Sequence, residues 1–296
     1  MKRTIKAAAL QHACGTNPEE NLERTVQGIR DAHDKGAGLV LTQELFRTPY
    51  FCQHEEPGRF DLAESIPGPT TEVLGRLARE LDLVIVASLF ERRAAGIYHN
   101  TAVVIERDGR IAGRYRKMHI PDDPGYYEKY YFTPGDLGFT PVNTSVGRLG
   151  VLVCWDQWYP EAARLMALAG AEVLLYPTAI GFDPADDEEE QRLQQHAWRL
   201  VQQGHAVANL LPVVVSNRGG LERDAPGERG QHFWGASFIC GPRGEILTEA
   251  MADEDTVLVA ELDLGRTEEL RRTWPFFRDR RIDAYHGLVK RHLDGD

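Results

Sequence analysis

A chain of 296 residues, 42% hydrophobic and 27% charged, can enclose a large core, while 34 basic against 45 acidic residues, a formal charge of −11, argue against a nucleic-acid partner. No apolar span suits a membrane helix, and Met1-Lys2-Arg3-Thr4-Ile5 passes directly into a strand-like run, so no membrane partner and no cleavable leader are expected, with the cytoplasm as compartment. Cys14, Cys52, Cys154 and Cys240 form no CxxC pair, which suits a reducing compartment, and the histidines offer no metal-ligand spacing, so neither disulfide, metal nor cofactor is expected.

In chain order the pattern alternates between strand and helix. Residues 4–11 read as a strand, and 18–35 as a helix capped by Asn17 with Leu22, Val26 and Ile29 on one face. Residues 39–42 form the next strand, followed by a helix over 70–81 and a strand over 83–88. Asp108-Gly109 separates two β-like runs as a hairpin turn. The apolar run Gly150-Val151-Leu152-Val153 leads through Cys154 to a helix over 160–168, a strand over 172–176 and a long helix over 188–206. Strands are expected at 212–216, 234–240, 245–248 and 256–262, and a last helix at 263–272. Gly36-Ala37-Gly38-Leu39-Val40-Leu41 resembles Gly170-Ala171-Glu172-Val173-Leu174-Leu175, a hint of duplication that the shared grammar of α/β units also explains.

Three reactive side chains close such runs. Cys154 stands where a strand turns into a helix start, and free amides with a helix dipole there favour a thiolate. Glu44 ends the run 39–43, and Lys117 follows the β-like stretch 110–115. Each alone has a plainer reading: a buried cysteine is usually an inert hydrophobe, and strand-end Glu or Lys is usually solvated. Sites in open α/β sheets form outside the carboxyl ends of strands, so the three can converge.

With Gln43-Glu44-Leu45-Phe46, Tyr115-Arg116-Lys117-Met118-His119-Ile120-Pro121 and Val153-Cys154-Trp155-Asp156, the chain resembles the nitrilase (carbon–nitrogen hydrolase) superfamily over nearly its whole length. Gln43 departs from it, since many relatives carry proline there. The resemblance implies an α/β fold of one domain over 1–296, a four-layer α-β-β-α sandwich, and a Glu44, Lys117, Cys154 triad with Glu128 as a second glutamate. It implies a homo-oligomer as well. The tail from about 264 to 296, with Trp274-Pro275-Phe276-Phe277, is expected to pack on a partner subunit, because in water it would expose a large apolar patch.

The residue types suggest their roles. Glu44 can take the thiol proton and later one from water, and Lys117 with the Trp155 backbone N–H can stabilise an oxyanion. Glu128 can keep Lys117 charged or position the leaving amine. Gln157-Trp158 stands where relatives acting on N-carbamoyl amino acids carry paired arginines, which disfavours a carboxylate-bearing substrate. The blocks 120–132, 154–164 and 176–181 resemble the branch that hydrolyses N-carbamoylputrescine, a carbamoylated amine on the route to polyamines. For its ammonium the candidate is Asp183, equally readable as a turn cap before Pro184, with Trp155, Trp158, Tyr50 and Phe51 as walls. The acidic run 186–190 reads as a solvated helix start whose charge would also attract a polyamine precursor. An ω-amidase or β-ureidopropionase-like amidase is the enzyme alternative, and a non-catalytic binding protein with this fold the other.

Overall fold

Short strands whose side chains alternate between two buried faces build the architecture, seen in a computed structural model that describes residues 3–183, 185–223 and 230–293. The first half contains β1 (Thr4–Gln11), α1 (Pro18–Asp34), β2 (Leu39–Leu41), α2 (Pro69–Leu81), β3 (Val84–Ala94), β4 (Ile97–Ile105) and β5 (Ile111–Arg116). After α3 (Glu128–Tyr131) come β6 (Val142–Thr144), β7 (Gly147–Val151), α4 (Pro160–Leu168), β8 (Val173–Thr178), α5 (Glu188–Asn209) and β9 (Val213–Asn217). The chain ends with β10 (Gly219–Glu222), β11 (Gln231–Trp234), β12 (Phe238–Cys240), β13 (Ile246–Glu249), β14 (Thr256–Asp263) and α6 (Arg266–Thr273).

Two six-stranded sheets result, ordered β14-β1-β2-β3-β4-β5 and β13-β12-β9-β8-β7-β6, with β10 and β11 as a separate ribbon. Ala7, Ala9, Leu39, Leu41, Val84 and Val86 face the second sheet, whereas Ala8, Leu10, Val40, Ile85 and Ala87 face α1 and α2. Because both faces are covered, these strands read as continuous apolar runs, and each fully buried Leu or Ile contributes about 1.5–3 kcal/mol. With α4 and α5 packed on the second sheet, the layers are helix, sheet, sheet, helix.

The two glycine-led segments that resemble each other do the same job. Gly36 (φ 84°) and Gly170 (φ 91°) leave α1 and α4 in the left-handed conformation, and the chain then enters β2 or β8, each parallel to its neighbours. Two expectations are corrected. Residues 234–240 are not one strand: Gly235 (φ 54°) and Ala236 (φ 50°) reverse the backbone, so β11 joins the ribbon and β12 the second sheet. The last helix begins at Arg266, because β14 stays paired with β1 through Asp263. In the tail, Phe277 lies between the guanidinium groups of Arg164 and Arg271, 4.7 and 4.0 Å from its centroid, while Trp274 is 52% and Val289 91% exposed.

Gly135 is where the fold leaves no room beside the end of β5. Its N–H donates to the Lys117 carbonyl (2.8 Å), and a β-carbon there would lie 2.0 Å from the Arg116 carbonyl oxygen. Gly135→Ala is expected to destabilise the protein by about 1–3 kcal/mol in urea unfolding, as overpacked sites do. An unchanged denaturation midpoint would show that this backbone yields freely.

Candidate active site

The ends of β2, β5 and β7 deliver Glu44, Lys117 and Cys154 to one place. The chain after β2 crosses the seam between the sheets, where the Glu44 N–H donates to the Thr178 carbonyl at the end of β8 (3.3 Å), and turns sharply at Leu45 (φ 52°). Lys117 extends the β4–β5 pairing by donating its N–H to Asn100 O (2.9 Å). Cys154 itself adopts φ 44°, opening a 3-10 turn over Cys154–Trp158. Left-handed backbone is uncommon for residues with a β-carbon, and here it occurs at the nucleophile candidate and next to the carboxylate candidate.

Lys117 Nζ donates to Glu44 Oε1 (2.9 Å) and to Glu128 Oε2 (2.6 Å), and all three side chains are fully buried. Two further donors reach the carboxylates from outside the trio. Asn100 Nδ2 donates to Glu44 Oε1 (2.6 Å), and the Tyr50 hydroxyl donates to Glu128 Oε1 (2.6 Å). Glu44 Oε2 alone of these carboxylate oxygens is buried with no hydrogen-bond partner among the described residues. The Cys154 thiol lies 3.5 Å from the Ala179 carbonyl.

Electrostatics follow from burial. Burial pushes the Cys154 thiol well above the ordinary thiol range, Glu44 and Glu128 push the same way, and Lys117 opposes them, so the resting sulfur is protonated. Burial also works against the Lys117 charge, but Glu128 and Glu44 outweigh it and hold the ammonium well above the ordinary lysine range. Glu128 is pushed up by burial from 4.5 to about 7, with Lys117 pulling down and Glu44 adding to the rise.

Asp156 ties the Cys154 turn to the strand that carries Lys117. Its Oδ2 accepts from the Val153 N–H (2.9 Å) and the Tyr115 hydroxyl (2.8 Å), and its Oδ1 accepts from the His119 N–H (3.2 Å), with the His119 ring Nδ1 at 2.6 Å. One buried carboxylate thus fixes β5 relative to β7. His205 packs under the same turn with Nε2 2.7 Å from the Gln157 carbonyl.

Cys154 opens into a cavity of about 840 Å³, lined by Trp155, Trp158, Tyr126, Ile180 and Trp234 on its apolar sides and by Asp123, Asp183 and Asp186. Among the described residues no lysine or arginine lines it. Asp183 has both expected characters, lining the cavity and capping its own loop through Ala185 N–H (2.8 Å). Tyr50 and Phe51 are a correction: neither is a wall. Both are buried, Tyr50 beside Tyr126 and Phe233 with its hydroxyl taken by Glu128, and Phe51 stacked on Phe90 at 5.0 Å. Asp186 was not singled out within its acidic run, whose other members do not line the cavity, and Asn100 was missed because a polar residue inside a β-like run carries no chemistry of its own.

Known proteins share this arrangement of sheets and sequence. The profile of the carbon-nitrogen hydrolase family matches residues 6–272. The chain belongs to this family. An N-carbamoylputrescine amidase of Solanum lycopersicum is 48% identical over 296 residues, covering 99% of this chain and 97% of that one. A citrullinase of Francisella tularensis subsp. tularensis is 43% identical, covering 97% and 99%. Among solved structures, a carbon-nitrogen hydrolase from Helicobacter pylori G27 superposes with a TM-score of 0.94 at 54% identity, covering 98% of this chain and 100% of that one. The family's four-layer sandwich is the fold found here.

The raised Glu128 pKa has two measurable effects. The folded state holds this proton more tightly than the unfolded chain, so the Glu128 contribution to stability falls as pH rises from 4.5 to about 7 and is flat above that. If the ionised group is needed beside Lys117, kcat/KM rises through an acid limb near 7. Comparing pH profiles of unfolding and of kcat/KM for native protein and Glu128→Gln checks both: the variant should lose the limb and the slope, and unchanged profiles would remove Glu128 from the titration.

Proposed function

We propose that this protein hydrolyses N-carbamoylputrescine to putrescine, ammonia and carbon dioxide through a covalent Cys154 intermediate. The observation that carries the substrate is the charge of the cavity: Asp123, Asp183 and Asp186 line it, and among the described residues no lysine or arginine does. That lining suits a substrate with a neutral ureido end and an ammonium end. The indole walls of Trp155 and Trp158 suit the aliphatic chain between them and add cation–π attraction near the charge.

In this reading Glu44 Oε2, the unpartnered oxygen, takes the Cys154 proton as sulfur attacks the ureido carbon. Two N–H groups of the Lys117 ammonium are held by Glu44 and Glu128, and the third joins the Trp155 backbone N–H in binding the oxyanion. The tetrahedral intermediate expels one nitrogen, which leaves with the proton from Glu44, and an S-carbamoyl enzyme remains. Glu44 then deprotonates water for attack on that carbon. The thiol is restored, and the carbamate product breaks down to the second amine and carbon dioxide. Glu128 keeps the ammonium charged throughout.

Citrulline is the second reading, favoured by the citrullinase relative, since it carries the same ureido group on an aliphatic chain. It adds a carboxylate, which three lining carboxylates would repel. The same repulsion disfavours a β-ureido acid. As for assembly, we propose that the exposed Leu165, Leu168, Leu200 and Val207 on α4 and α5, with Trp274 and Phe276 of the tail, cover a second copy of the chain. No helix among the described residues is long and apolar enough to cross a membrane.

Ammonia release should therefore give a kcat/KM for N-carbamoylputrescine about 100-fold or more above those for citrulline and N-carbamoyl-β-alanine, the size of an unfavourable like-charge contact. A preference for either acid would overturn the substrate while leaving the chemistry in place. Asp183→Asn should raise KM by about fivefold, as loss of an exposed ion pair does, with little change in kcat. Cys154→Ala should abolish ammonia release, and residual native-level activity would end the covalent route.

A further inference from the structure

The apolar run that forms β9 ends, like the three strands above, in polar residues: Asn217 and Arg218. Both are fully buried. Arg218 reaches from the second sheet to the turn after β2 and donates to three backbone carbonyls there, Nε to Glu44 (3.0 Å), Nη2 to Leu45 (2.6 Å) and Nη1 to Thr48 (3.0 Å). Its counter-ion is Glu222 at the end of β10, paired through Nη1 and also buried. Glu222 holds the other side of the same loop, accepting from the Tyr50 N–H (3.0 Å), and also accepts from the Cys14 N–H (2.8 Å) in the segment after β1. Tyr50 in turn donates its hydroxyl to Glu128.

One buried ion pair therefore grips the backbone on which Glu44 stands and the residue that orients Glu128. We propose that Arg218 and Glu222 are positioning residues that set the aim of both carboxylates on Lys117, an inference that rests on Glu44 acting as the general base. The turn they grip contains Leu45 at φ 52°, and its carbonyls point inward where no strand partner donates to them, so the loop needs a planar fork of donors to hold that shape. Neighbouring Asn217 treats the opposite wall alike, bonding both the N–H and the carbonyl of Ile180 at 3.0 Å, next to the Ala179 carbonyl that touches Cys154. Neither Arg218 nor Glu222 lines the substrate cavity.

Arg218→Lys tests the clamp, because a lysine keeps the charge but cannot span three carbonyls. The variant is expected to lose about 100-fold in kcat, the scale of a misaimed catalytic group, with KM nearly unchanged. Alkylation of Cys154 by iodoacetamide, located by mass spectrometry, should slow by a similar factor, since it reads how readily the base takes the thiol proton without any substrate. Circular dichroism and the melting temperature establish that the assayed protein is folded. If Arg218→Lys does not fold, Glu222→Gln decides alone, with an expected loss of about tenfold in kcat and in alkylation rate. A folded variant that melts earlier yet keeps native kcat and native alkylation would overturn the proposal and leave the pair a purely structural one. Glu44→Gln separates the two ideas. Slow alkylation there with a native rate in Arg218→Lys sinks only the clamp, whereas a native rate in Glu44→Gln removes the base, and the purpose of the clamp with it.

Discussion

Everything in the site is arranged around one ammonium out of water between two carboxylates. Removing an ion from solvent costs several kcal/mol, repaid only where partners meet it in good geometry and the leftover donors and acceptors are satisfied. Lys117 meets good geometry with Glu44 and Glu128, and the leftovers explain the neighbours, except Glu44 Oε2, which has no partner among the described residues. Asn100 covers one oxygen of Glu44, Tyr50 one oxygen of Glu128, and Ser88 supports Asn100 by donating to its Oδ1 (3.0 Å). Two acids facing one cation leave an excess of negative charge in a buried space. Burial raises Glu128 and the thiol of Cys154, and that excess adds to the rise of each against the opposing pull of Lys117.

A neutral resting thiol has a bearing on the role proposed for Cys154. The strand-end position suggested a thiolate stabilised by free amides and a helix start, yet burial and two carboxylates outweigh that help. The proton then has to leave as sulfur attacks, which gives the unpartnered Glu44 oxygen its proposed task. Protonated sulfur also reacts slowly with oxidants, since susceptibility follows thiolate character and exposure.

The parts of this protein that were legible in its sequence share one grammar. Glu44, Lys117 and Cys154 each end an apolar or β-like run, and the helices over 18–35, 70–81 and 188–206 correspond to α1, α2 and α5 within a few residues. Arg218 closes the run 212–216 in the same manner, but arginine suggests no nucleophile or base, so its position carried no message. Glu128 became a candidate through family resemblance alone, because it opens a four-residue helix with no apolar run before it. Tyr50 and Phe51 were misread because an aromatic side chain near a site has the same composition whether it is a wall or core. Only the third dimension distinguishes a tyrosine whose hydroxyl is already taken. The break of 234–240 was signalled in part, since Gly235 inside a β-like run marks a bend, whereas Ala236 at φ 50° gives no sequence signal of a left-handed residue.

The carboxylate and the lysine come from one sheet and the sulfur from the other, joined across the seam by Glu44 to Thr178 and by Asp156 to His119 and Tyr115. Neither sheet contains a site. A compact acid state that kept its helices and strands while the two sheets slid or loosened would retain its far-ultraviolet spectrum and have no reactive centre at all. Turnover in this protein is accordingly a gauge of how the two halves of the sandwich are registered, a property that secondary-structure content does not report.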